Sequence, residues 1–278
     1  MVPYYRAIAM GFPSDVDVID TMIWFPSPAT EAAKVGYLFK DDLALPSGRE
    51  PIEFTLEQMD CHGIGRAVVD VDLDPVGREA LLTHPERFIG SCVVDPNEGM
   101  RAVRKIDDLH RTLGIRALSF SPMSLSPQVP IDDRRAYPVY AKCAELGIPV
   151  FITVGVPGPL VPMAAQRVEL LDEVCWFFPE LTIVMRHGAE PWADLAVMLM
   201  RKWPNLYYST SAFAPKRYPR SIVEFANTRT GADKVLFAGY YAVGLSWDRV
   251  FADLADLPLD DDVWPRFLRD NALRVLGI

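Results

Sequence analysis

Eight short, almost continuously apolar segments recur along the chain, and longer segments with the apolar spacing of helices separate them. The apolar segments do not alternate with polar residues, which is typical of parallel strands that are covered on both faces. The predicted strands are residues 16–23, 66–71, 88–94, 115–120, 148–153, 181–185, 205–209 and 234–238. Strands and helices that alternate in this way predict an α/β protein whose parallel sheet closes into a single (β/α)₈ TIM barrel.

Two segments depart from this repeat. Residues 24–50 form a long, proline-containing loop after the first strand, and they predict a lid or an insertion over the mouth of the barrel. Residues 257–278 have the spacing of one extra C-terminal helix, which is expected to pack on the outside of the barrel. Gly114 and Gly147 stand where a glycine ends a helix. The length of 278 residues suits one closed barrel, so residues 1–278 are interpreted as one domain.

The composition restricts the compartment and the partners. The formal net charge is −9 and the pI is about 5.0, so the surface repels nucleic-acid phosphates and anionic lipids. We therefore expect a small-molecule substrate, and neither nucleic acid nor membrane as a partner. The first residues lack the pattern of a signal peptide, and no apolar run approaches the length of a membrane span. Four scattered cysteines without a CxxC spacing predict reduced thiols in a cytoplasmic protein.

In a barrel of this kind the functional side chains lie where the strands end and the following loops begin. His187 directly follows the sixth predicted strand, whereas the other three histidines fall within helices or at helix ends. The predicted rim also carries Asp20, Thr153, Glu190, Tyr240 and Tyr241. This is a mixed polar and aromatic rim with too few histidines for a metal cluster.

A family resemblance extends over most of the chain. It is carried, in order, by the segments VIDTMIW, HPERFIG, LGIPVFIT, FPELTIVMRHGAEPW, WPNLYYSTSAF, GADKVLFAGYY and FLRDNALRVLGI. In this order they resemble the amidohydrolase-related branch of the amidohydrolase superfamily, which includes aminocarboxymuconate-semialdehyde decarboxylase and related resorcylate decarboxylases. The resemblance implies a hydrolase or decarboxylase with a metal at the mouth of its barrel.

The residues at the family's metal-binding positions differ from the family pattern. The resemblance places Met22 and Trp24 at the His-x-His of the first strand, and Thr153 at the histidine of the fifth. His187 keeps the histidine of the sixth strand, and Tyr240 replaces the aspartate of the eighth. One imidazole cannot hold Zn²⁺ or Mn²⁺ alone, and Thr, Met and Trp are weak ligands or none. Neither a metal nor another cofactor is therefore expected.

The remaining rim residues predict a site that works without a metal. His187 either acts as general acid or base, because an imidazole titrates near neutral pH, or is a polar residue that only satisfies its hydrogen bonds at the end of a strand. Tyr240 and Thr153 are expected to hold a carbonyl or a developing oxyanion by hydrogen bonds. Met22 and Trp24 either form an apolar wall for an organic substrate or fill the space of the missing metal.

Several rim residues have two interpretations. Glu190 either contributes to the site by orienting the imidazole or caps the following helix. Tyr241 belongs to the predicted substrate-binding residues, and Tyr240 either holds a substrate carbonyl or merely packs beside Tyr241. The acidic residues 70–74 form either a cation site or a solvated loop, and Asp20 is interpreted as pointing away from the lumen.

These expectations favour a metal-independent enzyme that acts on a small carbonyl or carboxylated organic substrate. Hydrolysis is the reaction that the resemblance implies first, followed by decarboxylation or another lyase step. The alternative is a catalytically silent barrel that binds a ligand or serves as the partner subunit of an active paralogue. A homodimer, or a heterodimer with a related barrel, is the assembly suggested by the resemblance. A deep polar pocket at His187 would favour the enzyme, and a filled mouth would favour the silent barrel.

Overall fold

The computed structural model of the protein describes residues 16–27 and 43–278, and in it eight parallel strands pair in sequence order. They are β1 (Val18–Asp20), β2 (Ile64–Asp70), β3 (Phe88–Val93), β4 (Ala117–Phe120), β5 (Val150–Thr153), β6 (Ile183–Arg186), β7 (Leu206–Ser209) and β8 (Val235–Leu236). Just beyond β1, the backbone N–H of Thr21 donates to the carbonyl of Phe237 at 3.2 Å, which joins the first strand to the eighth. The predicted (β/α)₈ barrel is confirmed.

Helices connect the strands and cover the outside of the sheet. Their bounds are α1 (Pro51–His62), α2 (Pro75–Thr83), α3 (Met100–Leu113), α4 (Tyr137–Leu146), α5 (Leu171–Phe177), α6 (Ala193–Lys202), α7 (Arg220–Ala226), α8 (Trp247–Leu254) and α9 (Asn271–Leu276). Gly114 and Gly147 end α3 and α4 in left-handed conformations, as predicted. None of the helices within the described ranges is long and apolar enough to cross a membrane. All four cysteines are free, and only Cys61 is exposed.

The predicted extra C-terminal helix is present as α9, and the segment that carries it lies at the seam between β1 and β8. The backbone N–H of Phe237 donates to the carbonyl of Phe267, within a π-helical turn that precedes α9. The buried amide of Asn271 donates to the carbonyls of Ala232 and Val235, both at 2.8 Å. Strand β8 ends at Leu236, two residues earlier than predicted. The reason is that the backbone N–H of the next residue, Phe237, donates to the C-terminal helical segment and not to a neighbouring strand.

The interior of the barrel begins with an apolar layer. It contains the inward-facing residues Ile19, Val68, Ile89, Ala117, Phe151, Val184 and Leu236. The same buried cluster includes Ala272, Val275 and Leu276, so the apolar face of α9 completes the core at the seam. The lower part of the barrel is therefore a packed core and not a channel.

Above the apolar layer the inward-facing residues become polar. Residues two apart on a strand share a face, so the next inward positions can be read from the register. This polar layer consists of Thr21, Asp70, Ser91, Ser119, Thr153, Arg186 and Ser209. The hydroxyls of Thr21 and Ser209 lie 3.1 Å apart, as do those of Ser91 and Ser119. The polar layer therefore forms the inner end of the barrel mouth.

The long segment after β1 returns close to its starting point. The backbone N–H of Leu45 donates to the carbonyl of Ser27 at 3.1 Å. The prediction of a lid falls largely on residues 28–42, which lie outside the described residues. The predicted loop ends at residue 50, and α1 begins directly after it at Pro51.

Candidate active site

Strained backbone marks the loops after β6, β7 and β8. Within the described residues, every non-glycine residue with a positive φ lies there: His187 (69°), Ala189 (59°), Ala212 (71°), Tyr240 (57°) and Ala242 (67°). A left-handed conformation costs a residue with a Cβ about 1–2 kcal/mol, and such residues concentrate at functional sites. The strain therefore points to the carboxyl ends of these strands, where barrels of this type carry their sites.

A cavity of about 770 Å³ opens between the same loops. Its polar lining residues are Thr153, Gln166, His187, Arg217, Tyr240 and Arg249. No carboxylate is found among the described residues that line it, whereas two arginines are. The cavity thus has the size of a small-molecule site and a local charge that favours anionic ligands.

His187 lies in this cavity with its imidazole held by Ser211. The ring Nδ1 is 3.0 Å from the Ser211 hydroxyl, which also accepts the backbone N–H of His187 at 3.3 Å. This arrangement suits a neutral ring that accepts at Nδ1 and carries its proton on Nε2. Burial, assisted by the charge of Arg186, holds the pKa of His187 well below its ordinary value. Both effects favour the neutral form of the imidazole over the charged form.

Tyr240 completes an aromatic row across the mouth of the barrel. Its ring meets the imidazole of His187 edge-on, with centroids 5.2 Å apart, and meets Trp24 in the same way at 5.1 Å. Burial raises the pKa of Tyr240 to about 12, although the charge of Arg186 opposes this shift. The phenol therefore stays protonated and can donate a hydrogen bond into the cavity.

The predicted site residues occupy different positions around this cavity. His187, Tyr240 and Thr153 line it, and the structure brings these three together. Trp24 packs behind Tyr240, and Met22 is buried with its sulfur 3.5 Å from a guanidinium nitrogen of Arg186. These two side chains fill space beside the site, in agreement with one of the two interpretations of the sequence.

Glu190 and Tyr241 are not brought into the cavity. The Glu190 side chain is exposed, and Ser211 is the partner of the imidazole that Glu190 was expected to orient. Tyr241 is buried and stacks on Trp247, with ring centroids 3.8 Å apart and an interplanar angle of 7°. Its backbone also pairs with Ile23, which turns the ring of Tyr241 away from that of its neighbour Tyr240. The placement supports no substrate contact for either residue.

The acidic run at residues 70–74 is divided among separate structural partners. Asp70 accepts a hydrogen bond from Ser119 at 3.3 Å, inside the polar layer. Asp72 forms an ion pair with Lys105, and Asp74 caps α2 by accepting the backbone N–H of Val76 at 2.9 Å. The interpretation of this run as a cation site is therefore not supported.

Asp20 is a fully buried carboxylate that points away from the lumen and ties the seam together. It accepts hydrogen bonds from the backbone of Met22 at 3.1 Å and of Gly239 at 3.0 Å, and from the Trp247 indole at 2.8 Å. A Cβ on Gly239 would lie 2.5 Å from the carboxylate, so glycine is required there. Burial raises the pKa of Asp20 to about 6, against the opposing effect of the three hydrogen bonds. Asp20 thus connects β1, α8 and the loop that carries Tyr240.

We expect Asp20 to give the stability of the protein a distinct pH dependence. Its folded-state pKa of about 6 exceeds the ordinary value of 3.8, so the folded state binds this proton more tightly than the unfolded chain. The resulting destabilisation is absent below about pH 4 and reaches about 3 kcal/mol once the pH has risen through about 6. Urea unfolding would measure the free energy of unfolding of wild type and of Asp20→Asn. The stability of wild type relative to Asp20→Asn should fall by this amount between about pH 4 and pH 7. A difference that stays constant with pH would contradict the shifted pKa.

Arg186 is a charged residue of the site that the sequence analysis missed. It ends β6, directly before His187, and the residue is buried in the polar layer, with an exposed fraction of 5 %. Its side chain faces inward because Val184, two residues earlier, belongs to the apolar layer. The sequence signal for Arg186 is its position two residues after the inward-facing Val184, because residues two apart on a strand face the same side.

The described residues do not fit a divalent metal at this end of the barrel. In the part of the chain that the structure describes, no three His, Cys, Asp or Glu side chains are grouped so that they could hold an ion. The guanidinium of Arg186 would in addition repel a cation from the polar layer. The positions filled by Met22 and Tyr240 are therefore structural or hydrogen-bonding positions in this chain, and no metal chemistry is assigned to them.

Comparisons with known structures agree with this architecture. An uncharacterized TIM-barrel protein from Bordetella bronchiseptica superposes with a TM-score of 0.78 and 25% identity, over 94% of this chain and 98% of that one. The 5-carboxyvanillate decarboxylase of Novosphingobium aromaticivorans, complexed with manganese and 4-hydroxy-3-methoxy-5-nitrobenzoic acid, gives 0.67 and 17% over 95% and 97%. The 4-oxalomesaconate hydratase of Rhodopseudomonas palustris gives 0.61 and 19% over 94% and 95%. No curated protein matches the chain in sequence.

The sequence itself matches a family model over nearly its whole length. The model of the amidohydrolase family covers residues 20–278, which includes the last residue of β1, strands β2 to β8 and every residue of the cavity. The resemblance found from the sequence segments is thereby confirmed at the level of the family. The chain belongs to the amidohydrolase family.

Proposed function

We propose that this protein is an enzyme that acts without a metal on a small organic substrate with a carbonyl or carboxylate group. The observation that carries the proposal is the meeting of His187 and Tyr240, with ring centroids 5.2 Å apart, in one cavity of about 770 Å³. Both residues hold strained left-handed backbone conformations, which are concentrated at functional sites. The reaction is hydrolysis, or decarboxylation or another lyase step.

The charge of the cavity supports a carboxylated substrate. Arg217 and Arg249 line it, and no acidic side chain does so among the described residues. Related solved structures are a 5-carboxyvanillate decarboxylase and a 4-oxalomesaconate hydratase, whose names denote carboxylated substrates. The cavity at His187 is not filled by side chains and has polar residues in its lining, which favours an enzyme over the silent barrel, for which a filled mouth was expected.

The two rings have complementary chemical capabilities. With its proton on Nε2, the neutral imidazole of His187 can donate a hydrogen bond to a substrate oxygen. In the other tautomer Nδ1 donates to Ser211, and Nε2 is free to accept a proton from substrate or water. The Tyr240 phenol, which stays protonated, stabilises negative charge that develops on oxygen. Thr153 adds a hydroxyl on the floor of the same cavity.

A ligand screen tests the proposal directly. Carboxylated aromatic acids, aliphatic keto acids and lactones would be added to wild type and to His187→Ala, with melting temperature and product formation as readouts. The proposal expects at least one of these classes to raise the melting temperature of wild type and to be converted by it. If none stabilises the wild type, and His187→Ala melts at a lower temperature, the histidine is structural and the enzyme proposal fails.

We expect Tyr240→Phe to lower kcat/KM about 10-fold to 100-fold. The change removes one hydrogen bond to a developing charge, which is worth about 1.5–3 kcal/mol, and it keeps the ring between Trp24 and His187. Steady-state kinetics on a converted compound would measure the loss, and Tyr241→Phe is the matched control because that ring lies outside the cavity. Equal kinetics in wild type and Tyr240→Phe would remove the phenol from the mechanism.

A further inference from the structure

Arg186 occupies a central position at the inner end of the barrel mouth. It belongs to the polar layer, and its register partner on β5 is Thr153, which lines the cavity. The next residue in the chain is His187, and the phenol of Tyr240 is close enough to interact with the guanidinium electrostatically. Arg186 therefore lies in the polar layer directly beside Thr153 and His187, which line the cavity, although Arg186 is not itself one of the lining residues.

Most of the hydrogen-bonding capacity of Arg186 is unused. A guanidinium has five N–H donors, yet among the described residues Arg186 makes one hydrogen bond, from Nη1 to the sulfur of Met22, which is a weak acceptor. Its buried Nε has no hydrogen-bond partner within residues 16–27 and 43–278. Because buried polar groups are nearly always paired, this donor set indicates a ligand that the described part of the chain does not supply.

Asp70 does not satisfy this guanidinium. The two residues end β2 and β6, which stand four strands apart in a barrel of eight, so they face each other across the lumen. Their interaction is one of charge alone, because the Asp70 carboxylate accepts its hydrogen bond from Ser119. The charge of Asp70 lowers the cost of burying Arg186 without occupying its donors.

We propose that the mouth of this barrel is an anion site, in which Arg186 binds a carboxylate of the ligand through its unused N–H donors. A guanidinium offers parallel donors that match the two oxygens of a carboxylate, and none of the described residues that line the neighbouring cavity is acidic. The inference rests on the proposed function only in taking the cavity as the substrate site. It assigns to a buried arginine the place at which the family resemblance implies a cation.

The test measures the binding of benzoate to purified protein by calorimetry at constant ionic strength. Arg186→Met removes the charge and places a second methionine beside Met22, and Arg111→Gln on α3 is a control that removes an exposed arginine. We expect benzoate to bind about 10-fold to 100-fold more weakly to Arg186→Met, as the loss of hydrogen bonds to a charge implies, and unchanged to Arg111→Gln. Equal affinity of wild type and a folded Arg186→Met would overturn the proposal.

A second variant keeps the proposal testable if Arg186→Met does not fold. Asp70→Asn removes the negative charge that faces Arg186 across the lumen, so it should tighten benzoate binding by about threefold to tenfold. Unchanged or weaker binding to Asp70→Asn would count against an anion at this position. One equivalent of Zn²⁺, Mn²⁺ or iron in the purified protein, lost on His187→Ala, would overturn the anion site outright.

The outcome is separable from that of the proposed function, because benzoate binding requires no turnover. Benzoate binding that depends on Arg186, together with turnover that is indifferent to His187→Ala, would retain the anion site and reject the proposed chemistry. Turnover that depends on His187, together with benzoate binding that is indifferent to Arg186→Met and to Asp70→Asn, would retain the chemistry and reject the anion site.

Discussion

His187→Ala is expected to lower kcat/KM for a converted substrate by about 10²–10⁴-fold, the usual contribution of a positioned acid or base. Alanine keeps the Cβ, so the strained backbone at this position is not relieved. The variant loses the hydrogen bond to Ser211, which costs about 1 kcal/mol of stability. A large loss of turnover with a small change in melting temperature would therefore identify the imidazole as a chemical group.

Glu190→Gln is the matched control for this experiment. Glu190 lies three residues after His187 in the same loop, but its side chain is exposed and does not line the cavity. Steady-state kinetics of the two variants should differ by at least two orders of magnitude. If both variants turn over like wild type and only His187→Ala unfolds earlier, His187 serves the structure of the loop.

Asp20→Ala is expected to lower the free energy of unfolding by about 3 kcal/mol at neutral pH. The variant leaves two backbone N–H groups and the indole of Trp247 buried without an acceptor, and each costs about 1–3 kcal/mol. Relief from burying a charged carboxylate offsets part of this sum, because the raised pKa shows that the charge itself is disfavoured. The loss is large against the 5–15 kcal/mol that is typical of folded domains.

Denaturant unfolding of Asp20→Ala and of Asp261→Ala would measure this effect. Asp261 is exposed, so its replacement removes an equal charge without removing buried partners and should change stability by less than about 0.5 kcal/mol. Equal midpoints for the two variants would mean that the network around Asp20 contributes nothing. A weaker seam should also displace Tyr240, since Asp20 holds the backbone of Gly239 next to it.

Much of this architecture could be predicted from the sequence. Buried parallel strands appear as apolar runs, and the strand ends of a barrel indicate where side chains can act, which was sufficient to place His187, Tyr240 and Thr153. The predicted strand bounds were less accurate at β1 and β8, which are shorter than predicted because loops and the C-terminal segment replace strand pairing at their ends. Those ends depend on contacts with residues far away in the sequence.

The residues that were missed depend on register and on distant partners. The predicted sixth strand ended at residue 185, one residue before Arg186, so the inward direction of that side chain did not emerge. Two of the three hydrogen-bond partners of Asp20, Gly239 and Trp247, lie 219 and 227 residues further along the chain. Ser211 contacts His187 because they follow the neighbouring strands β7 and β6, which end side by side. Glu190 is close to His187 in the sequence but does not contact its imidazole.

The seam between β1 and β8 has a consequence for how the protein folds. The seam joins Thr21 to Phe237, which are 216 residues apart in the chain. Its closure therefore has a high cost in chain entropy, and it gives the fold a high contact order. Until it closes, both strands present open edges that can pair with other chains. Tyr240 and Asp20 lie at this seam, and hence the cavity exists only in the fully closed barrel. A ligand that binds there stabilises the closed state by mass action and protects the exposed edges from aggregation.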